Sequence, residues 1–358
     1  MKNSKVLMSN NRITILDSFR ALAIMSVLLY HYFYRWNDPI YPYFGGDYFH
    51  YGFKGVPFFF IISGFVIFYS LENTSDFVSF WKKRFIRLFP SMLIASIITF
   101  IFLLIFDHNQ IFADSNYFRN LITSLTFLPP NLFDWIFGTK NHFSYLNYSY
   151  WSLWPEIQFY FLSSAIYFFD KFNFKRNYIV ACFLLLGIFY LVNFYNLNQI
   201  KYVEKIINLF NLIKYLLFFL AGSLFYMLYK NKKSYKDLFF VVLTFIVINF
   251  SLSMVELTAT LIMYSLFFCF IYYPKLIAFL DNKIFINIGI SSYFLYLIHE
   301  YIGVVWIRNI ATCFYPYSFI VPVLIIILIT IFSVLYTIKI EVKIAKKLNN
   351  YLFHKKND

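Results

Sequence analysis

Arg20 and His31 stand eleven positions apart in the first membrane-length apolar segment, Ile13 to Phe33. A charged group at bilayer depth costs about 2.5–3.5 kcal/mol on insertion scales, so its presence there calls for a function or a partner. At about 100° per residue, eleven helical steps bring the second side chain to within about 20° of the first, about 16 Å further along the axis. Both polar groups therefore share one face, which must line a protein interior or a wet cavity. A histidine that is neutral near pH 7 is the commonest general base, and a carboxylate on its second nitrogen fixes the tautomer and stabilises the imidazolium. Two residues of other apolar segments, Glu156 and His299, reach the same outer layer as His31 when the segments are threaded through a bilayer. The competing assignments are structural: His31 as an interfacial histidine bonded to a loop, Glu156 in a buried ion pair with Arg20 or another cation, and His299 as a packed, supporting histidine.

Arg84 and Arg87 lie about one turn apart at the expected inner start of the third span. Guanidinium forks match phosphate oxygens bidentately, which suits an anionic donor, although basic residues also flank inner helix ends for topological reasons alone. Asp17, one turn before Arg20, is the expected partner of that arginine. Ser63-Gly64 reads as a site of close helix packing, with substrate lining as the second reading.

Apolar residues make up 61% of the 358, mean hydropathy is +0.64 and charged residues are 13%, half of what a soluble domain carries. The chain reads as an all-α integral membrane protein. The net charge of +14 is spread over short loops and is not gathered on one domain, which argues against nucleic acid. The 50 Phe and 32 Tyr read mostly as lipid-facing filler. Cys182, Cys269 and Cys313 show no metal spacing, and no metal is expected. The first segment lacks a small-residue cleavage site and reads as a retained span.

Apolar runs near 13–34, 53–71, 88–106, 147–169, 177–196, 206–229, 238–254, 256–273, 284–306 and 317–338 predict a bundle of about ten transmembrane helices. Every alternate loop is the basic one: Lys82 to Arg87, Lys171 to Arg176, Lys230 to Lys236, Lys275 to Lys283 and the tail from Lys339 to Lys356. By the positive-inside rule, both termini are then cytoplasmic. The connection from about Asp107 to Asn147 lies outside and is long enough for a lid or re-entrant segment. Residues 1–358 are expected to form one membrane-embedded domain with a core of roughly 13–338, short basic tails and no appended soluble domain.

Five stretches together resemble acyltransferase family 3, the integral-membrane O-acyltransferases that modify carbohydrates. They are Leu16-Asp17-Ser18-Phe19-Arg20-Ala21 with His31; Gly55 to Phe65, which contains Ser63-Gly64; Arg84-Phe85-Ile86-Arg87-Leu88-Phe89-Pro90; Trp151-Ser152-Leu153-Trp154-Pro155-Glu156-Ile157-Gln158-Phe159-Tyr160; and Ser291 to His299. The resemblance implies an acyl-CoA donor at the cytoplasmic side and transfer of the acyl group to a sugar hydroxyl at the outer side. It implies His31 and Glu156 as catalytic residues, Arg20, Arg84 and Arg87 at the donor, and Asp17, Ser63, Trp151 and His299 in support. Members commonly carry two acids in the fourth motif; Ile157 stands at the second here, so Glu156 alone can play that part.

The expected protein is a multi-pass enzyme of the bacterial cytoplasmic membrane that moves an acyl group, most simply acetyl, from acyl-CoA to a hydroxyl of an extracytoplasmic or lipid-linked glycan. The rival is a transporter or flippase for a glycan precursor or lipid, in which the same intramembrane Arg, His and Glu line a substrate path. Such proteins often show paired repeats with broken helices, and this sequence shows neither clearly.

Overall fold

A computed structural model describes residues 12–36, 46–250 and 253–354 of the chain. All regular structure among them is helical, as lipid-embedded segments must be when each backbone N–H and C=O has to be bonded within its own segment. The helices are α1 Thr14–Tyr30, α2 Gly55–Glu72, α3 Phe77–Phe106, α4 Phe118–Ser124, α5 Pro130–Phe137, α6 Leu153–Phe169 and α7 Phe174–Phe194. They continue as α8 Lys201–Leu209, α9 Leu212–Lys230, α10 Tyr235–Asn249, α11 Met254–Tyr272, α12 Lys283–Ala311, α13 Ile320–Tyr336 and α14 Val342–His354. Eight stretches among the described residues are long and apolar enough to cross a membrane. The segments expected as the fourth and seventh crossings are also helices, but α6 and α10 have 17 and 15 residues, short of the roughly 20 that a 30 Å hydrocarbon core requires.

Three boundaries differ from expectation, each for a physical reason. The third span does not begin at 88: α3 starts at Phe77, directly after the acidic cap Asp76, whose carboxylate accepts from Ser79 N at 2.9 Å, so Arg84 and Arg87 lie inside the helix and not at its mouth. The sixth apolar run is broken between Leu209 and Leu212, where Trp154 Nε1 and Gln158 Nε2 of α6 donate to Leu209 O at 2.6 and 2.7 Å and Gln158 Oε1 accepts from Leu212 N at 2.8 Å. Side chains of a neighbouring helix thus satisfy the backbone groups that a break exposes. The basic tail from Lys339 is helical through α14, with Lys82 Nζ donating to Leu352 O at 3.1 Å; residues 1–11 and 355–358, with Lys356, lie outside the described residues.

Two apolar cores form. One gathers α2, α6, α7, α9 and α11 around Phe65, Phe159, Phe219 and Phe267, and the other gathers α1, α3, α12 and α13 around Leu28, Met92, Phe294 and Ile325. Val56, Phe59 and Tyr293 pack against both. In the first core α2 and α9 touch backbone to backbone: a Cβ on Gly222 would sit 1.8 Å from Ile61 O, and one on Gly64 2.2 Å from Phe219 O. Small residues let membrane helices approach this closely, so the packing reading of Ser63-Gly64 describes Gly64.

The connection after α3 is folded. Phe112 stacks on Tyr301 with ring centroids 3.6 Å apart, Asn120 Nδ2 donates to Ser144 Oγ at 2.9 Å, and Asn147 Nδ2 donates to Leu297 O at 3.0 Å. The segment therefore covers the end of α12 that carries His299 and Glu300.

Candidate active site

Beyond α1 the chain widens into a π-helical turn, His31–Arg35. Single π turns recur at functional sites, and this one faces both of its basic side chains toward one carboxylate. His31 Nδ1 lies 3.3 Å and Arg35 Nε 3.4 Å from Oε1 of Glu300, a side chain of α12 with no solvent exposure. A carboxylate buried at this depth is tolerated only when paired. Both contacts are ion-pair distances without hydrogen-bond geometry; a proton on Nδ1, the nitrogen that faces Glu300, leaves the lone pair on Nε2, the form a general base needs.

His299 packs edge-on to His31, ring centroids 4.9 Å apart. Its Nδ1 donates to Tyr296 O at 2.7 Å, and its own carbonyl accepts from Tyr32 Oη at 2.5 Å. His299 Nε2 is buried without a hydrogen-bond partner among the described residues.

Glu156 is not beside His31. It lines a cavity of about 80 Å³ at the junction of the two cores, together with Arg20, Ser63, Arg84, Arg87, Ser152, Tyr160, Tyr293 and Tyr296. Glu156 Oε1 accepts from Ser63 Oγ at 2.8 Å and from Tyr160 Oη, one turn along α6, at 2.5 Å. The expectation of one layer made of His31, Glu156 and His299 is thus corrected: α12 supplies both the second histidine and the carboxylate, while Glu156 belongs to the cavity. The ion pair of Glu156 with Arg20 is not formed either. Arg20 Nη1 binds Asp17 at 2.9 Å as expected, and Asp17 also holds Arg12 at 2.6 Å.

The other expected residues divide. Arg84 is fixed by the protein itself, its guanidinium over the rings of Phe80 and Tyr160 and donating to Ser70 Oγ at 3.1 Å. Arg87 borders the cavity and has no hydrogen bond or ion pair among the described residues. Ser63 reaches the cavity, so its lining reading describes the side chain. Trp151 packs on Tyr215 with centroids 5.3 Å apart and does not line the cavity. No cluster of potential metal ligands occurs among the described residues.

Sequence reasoning passed over Glu300, Arg35, Tyr160 and Tyr296. Glu300 carried a usable signal, since an acid deep in an apolar run is as costly as the arginine that drew attention first. Tyr160 and Tyr296 stand in the stretches that carry the resemblance, but nothing in the sequence singled them out from the other tyrosines.

An all-helical membrane bundle that holds a histidine against a buried acid, next to a cavity edged by arginines, has the equipment of a group-transfer protein working inside the bilayer. The family model for this acyltransferase domain, type 3, matches residues 13–338, and the chain belongs to that family. Among curated proteins, O-acetyltransferase OatA of Staphylococcus aureus (strain NCTC 8325 / PS 47) is 29% identical over 197 residues, covering 50% of this chain and 29% of the relative. The putative peptidoglycan O-acetyltransferase YrhL of Bacillus subtilis (strain 168) is 30% identical over 156 residues, 40% of this chain and 22% of the relative. The chain thus spans less than a third of these relatives. No solved structure matches it.

Proposed function

We propose that the protein is a multi-pass O-acyltransferase of the bacterial cytoplasmic membrane that moves an acyl group, acetyl in the simplest case, from cytoplasmic acyl-CoA to a hydroxyl of an extracytoplasmic or lipid-linked glycan. The observation that carries the reading is the pairing of His31 with the fully buried Glu300, which has no evident use in a bundle that only needs to stay folded. The family match and the O-acetyltransferase names of two relatives support the reaction class. The alternation of basic loops supports cytoplasmic termini and an outer position for His31.

In this reading His31 Nε2 takes the proton of the acceptor hydroxyl as that oxygen attacks the acyl carbonyl. The charge that develops on the imidazole is stabilised by Glu300, which is held in turn by Arg35. The proton then returns to the departing sulfur. Arg87, and Arg84 beside it, supply guanidinium donors for the donor's phosphates, and bound donor would supply the thioester. Glu156, with Ser63 and Tyr160, is a polar contact within the donor cavity.

The test uses membranes with matched amounts of wild-type and His31→Ala protein, given labelled acetyl-CoA and assayed for label in glycan. A general base contributes about 10²–10⁴-fold, and a loss on that scale is expected in a protein that still inserts. Substantial transfer by His31→Ala overturns the reading in favour of glycan transport.

A further inference from the structure

Tyr296 is the residue that separates the cavity from the histidines. Its side chain lines the cavity, while its ring lies against His299 with centroids 5.4 Å apart and its carbonyl holds His299 Nδ1 at 2.7 Å. None of His31, His299 and Glu300 borders the cavity. The Tyr296 ring therefore stands between the arginine-edged chamber and the histidines.

The ring is fixed from the opposite wall. Ser152 Oγ donates to Tyr296 Oη at 2.9 Å, and Phe59 meets the same ring edge-on at 6.1 Å. Ser152 ends a 3₁₀ turn, Tyr148–Ser152. That turn is tied to α12 next to Tyr296 itself, because Asn147 Nδ2 bonds Leu297 O at 3.0 Å and Ser149 Oγ bonds Tyr296 O at 3.3 Å. Serine and tyrosine thus form a latch whose two halves are held in register by side-chain bonds to the α12 backbone. The space below it, about 80 Å³, is well under the roughly 150 Å³ of an apolar cavity that takes a benzene ring. A chain that enters from the arginine edge meets the Tyr296 ring at the end toward His299.

We propose that Tyr296, latched by Ser152, sets the acyl-chain length that the protein accepts, and that it admits two-carbon chains and rejects longer ones. The inference rests on the acyl-CoA reading given above and adds to it the residue that selects the acyl group.

The experiment compares kcat/KM for acetyl-, butyryl- and hexanoyl-CoA in membranes that carry wild-type, Tyr296→Ala, Tyr296→Phe or Ser152→Ala protein with glycan acceptor. A pocket discriminates by about 10- to 200-fold per methylene. Tyr296→Ala is expected to lower the acetyl-to-butyryl ratio at least 10-fold and to raise hexanoyl use. Tyr296→Phe keeps the ring and loses the latch, as Ser152→Ala does, and both should shift the ratio by a smaller factor in the same direction. If Tyr296→Ala loses its single peak in detergent gel filtration, Tyr296→Leu carries the same comparison. Wild-type transfer of acetyl with an unchanged chain-length ratio in the shortened variants overturns this inference alone. A wild-type protein that transfers nothing from any acyl-CoA overturns the donor reading, and this inference with it.

Discussion

Nδ1 of His31 lies 3.3 Å from Oε1 of Glu300, so the residue at the end of the first membrane segment takes its carboxylate from α12 and not from the acid-bearing motif of α6. Glu300→Gln should lower transfer by about 10²–10⁴-fold, because an amide does not hold the imidazole in the required tautomer or stabilise its cation. The His31→Ala/Glu300→Gln pair should cost little more than His31→Ala alone, as groups that act as a unit are non-additive. Glu156→Gln combined with His31→Ala should be closer to additive. Coupling of Glu156 to His31 with independence of Glu300 would reverse the assignment.

Arg87 and Arg84 should separate kinetically. Arg87→Ala removes a guanidinium that makes no hydrogen bond or ion pair among the described residues, and a hydrogen bond to a charged group contributes about 1.5–3 kcal/mol. Apparent KM for acyl-CoA should therefore rise about tenfold or more with kcat and thermal stability little changed. Arg84→Ala also strips contacts with Phe80, Tyr160 and Ser70, so its melting temperature in detergent should fall as well. Equal behaviour of the two variants would contradict this division.

Close packing of α2 on α9 gives a stability contrast between two glycines. Gly222→Ala drives a methyl into Ile61 O, whereas a Cβ on Gly187 in α7 meets nothing within 4 Å. Overpacking typically costs about 1–3 kcal/mol, and an alanine in an open helical position gains up to about 1 kcal/mol over glycine. Thermal unfolding in detergent should show Gly222→Ala melting lower than wild type and Gly187→Ala at or above it.

Orientation is checked by single cysteines in a variant without Cys182, Cys269 and Cys313. Cysteine at Gly138, just after α5, should react with an impermeant maleimide added to intact cells, and cysteine at Lys232 only after lysis. The opposite pattern would put His31 on the cytoplasmic side and remove the outer acceptor from the mechanism.

The sequence made the bundle legible because apolar length and the cost of a buried charge are local properties. Arg20, Asp17 and His31 could be placed on one helix face from spacing alone. The start of α3 was also readable, since Asp76 three residues before Ser79 is a capping signal, but apolar content drew the boundary later. The break at Phe210-Asn211 was not readable: it contains neither proline nor glycine and is fixed by Trp154 and Gln158 from another helix. The partner of His31 was missed because Glu156 and Glu300 both reach the interior, and only the packing of α1 along α12 decides between them.

The same packing sets the mechanics of the chamber. The wall that carries Ser63 is jammed against α9 through Gly64 and Gly222, and the wall that carries Glu156 is bolted to the break between α8 and α9 by Trp154 and Gln158. On the far side, α12 presses on α1 so tightly that a Cβ on Gly289 would fall 1.7 Å from Asp17 O. The remaining wall is α3, tied to α2 by Arg84 and Ser70 Oγ at 3.1 Å and to α12 by Tyr293 Oη and Leu88 O at 3.2 Å, and it brings Arg84, Arg87 and Leu88 to the cavity. A bulky anionic guest would therefore meet its charge partners on the wall whose hydrogen bonds to the rest of the chamber run through tyrosine, serine and arginine side chains.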